Sequence, residues 1–342
     1  MSRFLPRRVN LLTLSLIVAL LIPAFYRQSF FLHILVLLAI WVILTDSLNF
    51  VTGFAGQLAL GHAAFVTIGG YTGALLMLNH GWSFWTALLI GGGTAFASGL
   101  ILGVLALRLR GDYLGMVTLG FGEIVRVTAI NWVSLTRGPM GLPGIPRPTI
   151  FGYTFLGELP FYYLAIVLVV FTHVTIERML FSRFGRACLA LRDDEAAAEA
   201  MGIETYQYKV LAFCISSGYA GLAGVFYASW TTLFSPDSFQ LTDSIMMCVM
   251  NTLGGIGSLI GAIPGAMIIG ALPELLRPFT TGPNIASLRL AGVGVLMVLL
   301  LIVRPQGLAG MSIKPVYISL EPLYRLLKRG IAPKEIKTTG GE

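Results

Sequence analysis

Glu123 and Arg126 stand three residues apart in the apolar run YLGMVTLGFGEIVRVTAI. On a helix that spacing puts both on one face. At mid-depth in a membrane a lone charge is costly, and a satisfied pair costs much less. The pair reads as a structural ion pair that locks its helix to a neighbour, with a gate or the lining of a pathway as the alternative. Asp46 closes another apolar run, either as a helix-end residue near the membrane interface or as a partner for the interrupted stretch that follows it. His62 comes directly after a glycine and reads as hydrogen-bonded structure rather than as a proton relay. Proton-driven carriers usually hold several deep ionisable groups, and this chain holds few, which weighs against an ion-coupled carrier.

Other chemistries find little support. His33, His62, His80 and His173 show no metal-ligand spacing. Cys188, Cys214 and Cys248 are odd in number, widely spaced and set in or near apolar runs, so they read as small buried hydrophobes. A membrane-embedded enzyme would need a clustered nucleophile, acid or metal set, and the sequence offers none. The phosphate-binding pattern G-x-x-x-x-G-K-[ST] is absent as well. If ATP drives this protein, another chain must bind it.

Two interrupted stretches stand out. GFAGQLALGHAAFVTIGGYTGALL, residues 53–76, places Gly53, Gly56, Gln57, Gly61 and His62 in a run otherwise apolar enough for a membrane. The second, residues 243–276, would be ~50 Å long as one straight helix, too long for a single crossing, yet it is too short for two full spans. Gly254, Gly255, Gly257, Ser258 and Gly261 interrupt it, and Pro264 and Pro273 discourage a regular continuation. Irregular backbone inside a bilayer is tolerated only where protein or a water-filled cavity covers it. The breaks therefore suggest a pathway, although small residues also let helices pack closely.

The elements that must position these residues are membrane helices. The 342 residues are 56% hydrophobic and only 11% charged, with a mean hydropathy of +0.82. A soluble domain carries roughly 25% charged residues. The net charge of +7 fits basic cytoplasmic loops rather than nucleic acid. Runs long enough to cross ~30 Å of hydrocarbon fall near 9–26, 30–50, 57–78, 83–107, 113–134, 160–179, 209–231 and 286–303. The first resembles a signal peptide but lacks a small-x-small cleavage site and is read as a retained helix. Arg3, Arg7 and Arg8 place the start in the cytoplasm. The charged stretch 177–208 and the basic tail after 304 then also fall inside, provided that 243–276 enters and returns to the same side. The fold class expected is an all-α integral membrane protein of about ten membrane segments with broken or re-entrant helices, inverted halves and both termini cytoplasmic. Residues 1–310 form the transmembrane domain and 311–342 a basic cytoplasmic tail, with an amphipathic surface helix over 319–331.

Between spans, SRFGRACLALRDDEAAAEAMGIETYQYK (182–209) is the one long charged stretch. Asp193, Asp194 and Glu195 precede Ala196, Ala197 and Ala198, which predicts a short helix with acids in its first turn, closed by Gly202. Such a helix could dock a motor, or the stretch could be a solvated connector.

The residues resemble the permease subunits of ABC importers for branched-chain amino acids, the M-type of the two permeases. The blocks carrying the resemblance include GFAGQLALGHAAFVTIGGYTGALL, LRLRGDYLGMVTLGFGEIVR, GPMGLPGIP, the charged loop, AGLAGVFYA, SPDSF, LGGIGSLIGAIPGA and RPQGL, in order from about residue 45 to 310. The resemblance implies that the charged loop, with Arg192, Asp193, Asp194, Glu195, Ala196, Ala197 and Gly202, is the coupling helix seated in a cleft of the ATPase. Here Gly202 comes seven residues after Glu195, one more than in the broader importer signature. It further implies a second permease chain, two ATPase chains that bind ATP and magnesium, a periplasmic binding protein and a bacterial inner-membrane location. No cofactor is expected on this chain. Leucine, isoleucine and valine are the cargo implied, with urea, short amides or aromatic acids as alternatives moved by similar permeases.

Overall fold

The computed structural model describes residues 8–10, 28–106, 111–150, 152–276, 294–295, 298, 307–308 and 317–319. The chain divides into two compact units. In the unit of Met1–Phe25 and Lys314–Glu342, strand β1 (Arg8–Asn10) pairs antiparallel with β6 (Tyr317–Ser319). The other unit is Tyr26–Ile313.

This unit is mostly helical. Its helices are α1 (Ser29–Asn49), α2 (His62–His80), α3 (Phe84–Ala106), α4 (Asp112–Asn131), the single turn α5 (Val133–Thr136), α6 (Glu158–Leu180), α7 (Arg183–Asp193), α8 (Glu195–Ala200), α9 (Thr205–Thr231), α10 (Leu241–Gly254) and α11 (Leu259–Leu276). Among the described residues, five stretches are long and apolar enough to cross a membrane: Ser29–Phe54, Phe84–Leu105, Tyr113–Asn131, Glu158–Leu180 and Thr205–Thr231. The protein is thus a multi-pass membrane protein.

Helix α9 is central and packs against α1, α2 and α3. Small residues set the spacing. A Cβ on Gly69 would overlap the Gly221 backbone, and one on Gly224 would overlap the Val66 carbonyl. Backbones this close leave no room for larger side chains. On the other side of α1 lie α6 and α11.

Two local structures differ from the expectation. Helix α1 continues into a π-helical turn at Phe50–Phe54, so the first break runs from 55 to 61 and α2 starts at His62. Wide turns of this kind are rare and cluster at functional sites. The second break is short, from Gly255 to Ser258, and α11 runs straight through Pro264 and Pro273. Each proline removes one helix hydrogen bond and crowds the carbonyl four residues back, and packing of α11 on α1 and α10 sustains the helix.

Helices α10 and α11 lie side by side as a hairpin. A Cβ on Gly254 would overlap the Gly261 carbonyl, and one on Gly265 would overlap the Met250 carbonyl. Helix α10 opens with a capping box, in which the Gln240 backbone N–H donates to Asp243 Oδ2 at 2.7 Å. Its 14 residues span ~21 Å, short of a full crossing.

The connections at the other end of the bundle are not purely irregular. Strand β2 (Leu142–Pro143) pairs with β5 (Leu233–Phe234), and β3 (Thr149–Ile150) pairs with β4 (Tyr153–Thr154). The expected spans 9–26 and 286–303 and the tail helix 319–331 lie almost wholly outside the described residues. Where they meet described residues, 9–10 and Ser319 are extended strand, and 294–295 and 298 are helical.

Candidate functional site

The end of α1 carries the polar run Thr45, Asp46, Ser47, Asn49 and Thr52, and all but the part-buried Thr52 are fully buried. Between them they reach α2, α6, α9, α10 and the second break. Asp46 Oδ2 accepts from His173 Nδ1 on α6 at 2.8 Å, and among the described residues Asp46 Oδ1 and His173 Nε2 have no hydrogen-bond partner. The partner of Asp46 is therefore α6 and not the break. Asp46 lies one turn before the helix end, inside the bundle, because α6 supplies an imidazole at that level. The Ser47 hydroxyl donates to the Leu44 carbonyl and sits 2.8 Å from His62 Nε2, so the imidazole N–H donates to Ser47 Oγ. Ser216 on α9 donates to the Ser47 carbonyl at 2.5 Å. Asn251 on α10 donates to the Thr52 hydroxyl at 2.7 Å.

Asn49 joins the two breaks. Its Nδ2 donates to the Ser258 carbonyl at 3.0 Å, and its Oδ1 accepts from the Gly257 N–H at 2.9 Å. One turn on, Gly53 lies against Gly257, where a Cβ on Gly53 would overlap both Asn49 Oδ1 and the Gly257 nitrogen. Gly257 has φ +77°, which favours glycine again. The seam between the breaks is thus backbone on backbone, stapled by one buried amide. Buried polar groups in this low-dielectric setting need partners, and here Asn49 supplies both sides of the pair.

Around the seam the remaining break residues have local tasks. Gln57 Nε2 donates to the Ala55 carbonyl. Ser258 Oγ accepts from the Gly261 N–H and caps the start of α11. A Cβ on Gly61 would overlap the Thr118 carbonyl of α4.

The charged loop arrives at the same place. Arg192 Nη1 donates to the Gly53 carbonyl at 3.1 Å, and its Nε and Nη2 hold Asp193 Oδ1 at 3.1 and 2.8 Å. An open cleft of about 340 Å³ lies beside it, lined in part by Gly56, Gln57, Arg192, Asp194, Glu195 and Lys209. Lys209 is buried and its Nζ reaches Glu195 Oε1 at 2.6 Å. Asp193 is the last residue of α7, a helix that the sequence reading did not anticipate, and so it lies outside the first turn of the short helix. Asp194 is the N-cap, accepting from the Ala197 N–H at 3.0 Å, and Gly202 follows the end with φ +81°. Ala196 and Ala197 are exposed. Cys188 on α7 is buried, and burial pushes its thiol up to about 12.

A family model for the permease component of branched-chain amino acid transport systems matches residues 30–303. The chain belongs to this permease family. It is similar to the high-affinity branched-chain amino acid transport system permease protein LivM of Escherichia coli (strain K12), at 41% identity over 296 residues, covering 80% of this chain and 68% of LivM. It is also similar to the probable branched-chain amino acid transport permease protein LivM of Methanocaldococcus jannaschii, at 26% identity, covering 80% of this chain and 92% of that protein. LivH of Escherichia coli (strain K12) is 28% identical over 280 residues, covering 76% of this chain and 88% of LivH. No solved structure matches.

In the permease, Glu123 and Arg126 stand apart from the seam. Arg126 binds Glu123 through Nε and Nη2, the shortest contact being 2.6 Å, and its Nη1 lies 3.7 Å from Asp237 in the loop before α10. Among the described residues no cluster of three or more metal-ligating side chains occurs. Reading the sequence missed Thr45, Ser47, Asn49 and Thr52 of the permease. Their signal was visible as TDSLNFVT, five polar residues at the end of an apolar run, but their partners on four other elements were not.

Proposed function

We propose that the permease is the membrane subunit of an ATP-driven importer that carries leucine, isoleucine and valine across the bacterial inner membrane. The observation that carries this reading, beyond family membership, is that the two helix breaks and the charged loop meet at one point, Gly53 with Gly257 and Arg192. A route that opens and closes needs helices that can part, and a motor needs a loop that touches them. The loop around Glu195–Gly202 would dock in an ATPase cleft.

In this reading the chain has about ten membrane segments in inverted halves, with both ends cytoplasmic, residues 1–310 being the permease domain and 311–342 the tail. It works with a second permease, two ATPases holding ATP and magnesium, and a periplasmic binding protein. Similarity to both LivM and LivH supports a pair of related permeases. Helix α4 supports it too: only 22% of its apolar window is buried within this chain, against 78% for α1, and a charge pair on such a face calls for a covering partner or a wet route.

The test is uptake of radiolabelled leucine by the reconstituted complex, with ATP hydrolysis followed in parallel. Leucine uptake that requires ATP and the binding protein is the expected result. Uptake of urea or a short amide instead would move the cargo assignment, and leucine uptake without any ATPase would replace the importer by a secondary carrier.

A further inference from the structure

Two helices finish at the seam. The π-turn extending α1 ends at Phe54, and α10 ends at Gly254. The last carbonyls of a helix have no intrahelical donors, and they form the negative end of its dipole. At α10 the Asn251, Thr252 and Leu253 carbonyls are taken by the Gly255 and Leu308 N–H groups, whereas the Gly53 carbonyl at the end of the π-turn is left for a side-chain donor.

Arg192 is that donor. Its Nη1 donates to the Gly53 carbonyl at 3.1 Å. The same Nη1 would lie 2.9 Å from a Cβ on Gly257, so the guanidinium also flanks the second break. Gly56 lies against the Arg192 stem, with a Cβ there placed 3.0–3.3 Å from its Cγ, Cα and Cβ. The side chain is only 15% exposed. Its other donors are turned back on Asp193, at the C-terminal end of α7. A single residue of the charged loop therefore touches both breaks, while its own carboxylate neighbour fixes the fork.

From this geometry we infer that Arg192 is the positioning residue of the gate on this side of the permease, holding the two helix ends together while the loop is at rest. Movement of α7 and α8 withdraws the guanidinium. The Gly53 carbonyl then loses its cation, and the two ends stay joined only by the Asn49 amide and the Asn251–Thr52 bond. The gate opens by removal of a clasp rather than by a push on the helices. This inference rests on the importer reading for the direction of the motor's action.

The experiment uses the full reconstituted complex in proteoliposomes loaded with radiolabelled leucine, without ATP. Wild type should retain its load. Arg192→Gln should leak about tenfold faster, the scale of a helix-end charge interaction or a modest coupling, with assembly unchanged. Arg192→Lys should fall between them, because a point charge cannot reach Gly53 and fork onto Asp193 at once. If Arg192→Gln fails to assemble, Arg192→Lys decides alone, with a leak about threefold above wild type expected from a partial loss of the same coupling. An assembled Arg192→Gln complex, or failing that an assembled Arg192→Lys complex, that retains leucine and couples uptake to ATP like wild type would overturn the inference. Failure of the wild-type complex to take up leucine would instead sink the importer reading.

Discussion

His173 and Asp46 meet at 2.8 Å with side chains 2% and 1% exposed, whereas Arg126 and Glu123 meet at 2.6 Å with side chains 31% and 41% exposed. The distances are nearly the same, and the surroundings are opposite. The first pair joins α1 to α6 deep in the bundle, so each partner is the other's main polar contact in a medium that cannot replace it. The second pair lies within one part-buried stretch of the helix this chain covers least, with Asp237 as a third member at its edge. Contact geometry alone therefore does not rank the two. What ranks them is the environment left behind when one partner is lost.

The strongest way to break the comparison is to remove the imidazole. His173→Leu leaves the Asp46 carboxylate buried and unpaired, and a loss of about 3–5 kcal/mol is expected, the cost of breaking a buried pair from one side. Thermal unfolding of the detergent-solubilised complex measures it, and a melting temperature equal to wild type would show that the pair is not a structural joint.

A much smaller effect is expected on α4. Replacing both at once, Glu123→Gln with Arg126→Gln, should change stability by less than about 1 kcal/mol, because no charge is left unpaired. The same unfolding measurement applies. A double variant that loses as much as His173→Leu would mean that a partner buries this face as deeply as the bundle buries Asp46.

The smallest effect lies outside the membrane. Burial raises the Cys188 thiol from its ordinary 9.0 to about 12. Between these values the unfolded chain gives up a proton that the folded one keeps, so stability falls as pH rises through this window. The contribution is full below pH 9.0, and roughly 0.4 kcal/mol is lost at that pH. Comparing wild type with Cys188→Ala across pH 7 to about 9 isolates it, and identical pH slopes for the two would sink the assignment.

Much of the architecture was legible because its signals are local. Apolar run length marked five spans, and Gly254, Gly255 and Gly257 marked the turn of the hairpin, where Gly255 and Gly257 take positive φ; the glycines at 91–93, by contrast, run inside α3. The same logic read Gly202 as the end of the short loop helix. It failed at Pro264 and Pro273, where tertiary packing overrides a local preference, and at α7, where charged residues hid a helix whose buried face is Cys188 and Leu191. Asp46 was visible as a carboxylate at the end of an apolar run but could not be matched to His173, 127 residues away.

The sequence by itself determined that this is a helical membrane protein with two broken stretches, one charged loop and few deep ionisable groups, because hydrophobicity, glycine and charge act over a few neighbouring residues. Only the tertiary structure decided that the breaks touch at Gly53 and Gly257, that Asn49 staples them and that Arg192 reaches them from the loop. Those contacts join residues some 140 to 210 positions apart. No periodicity encodes such a pairing, and it forms only when the packing of α1, α9, α10 and α11 brings two helix ends to one place.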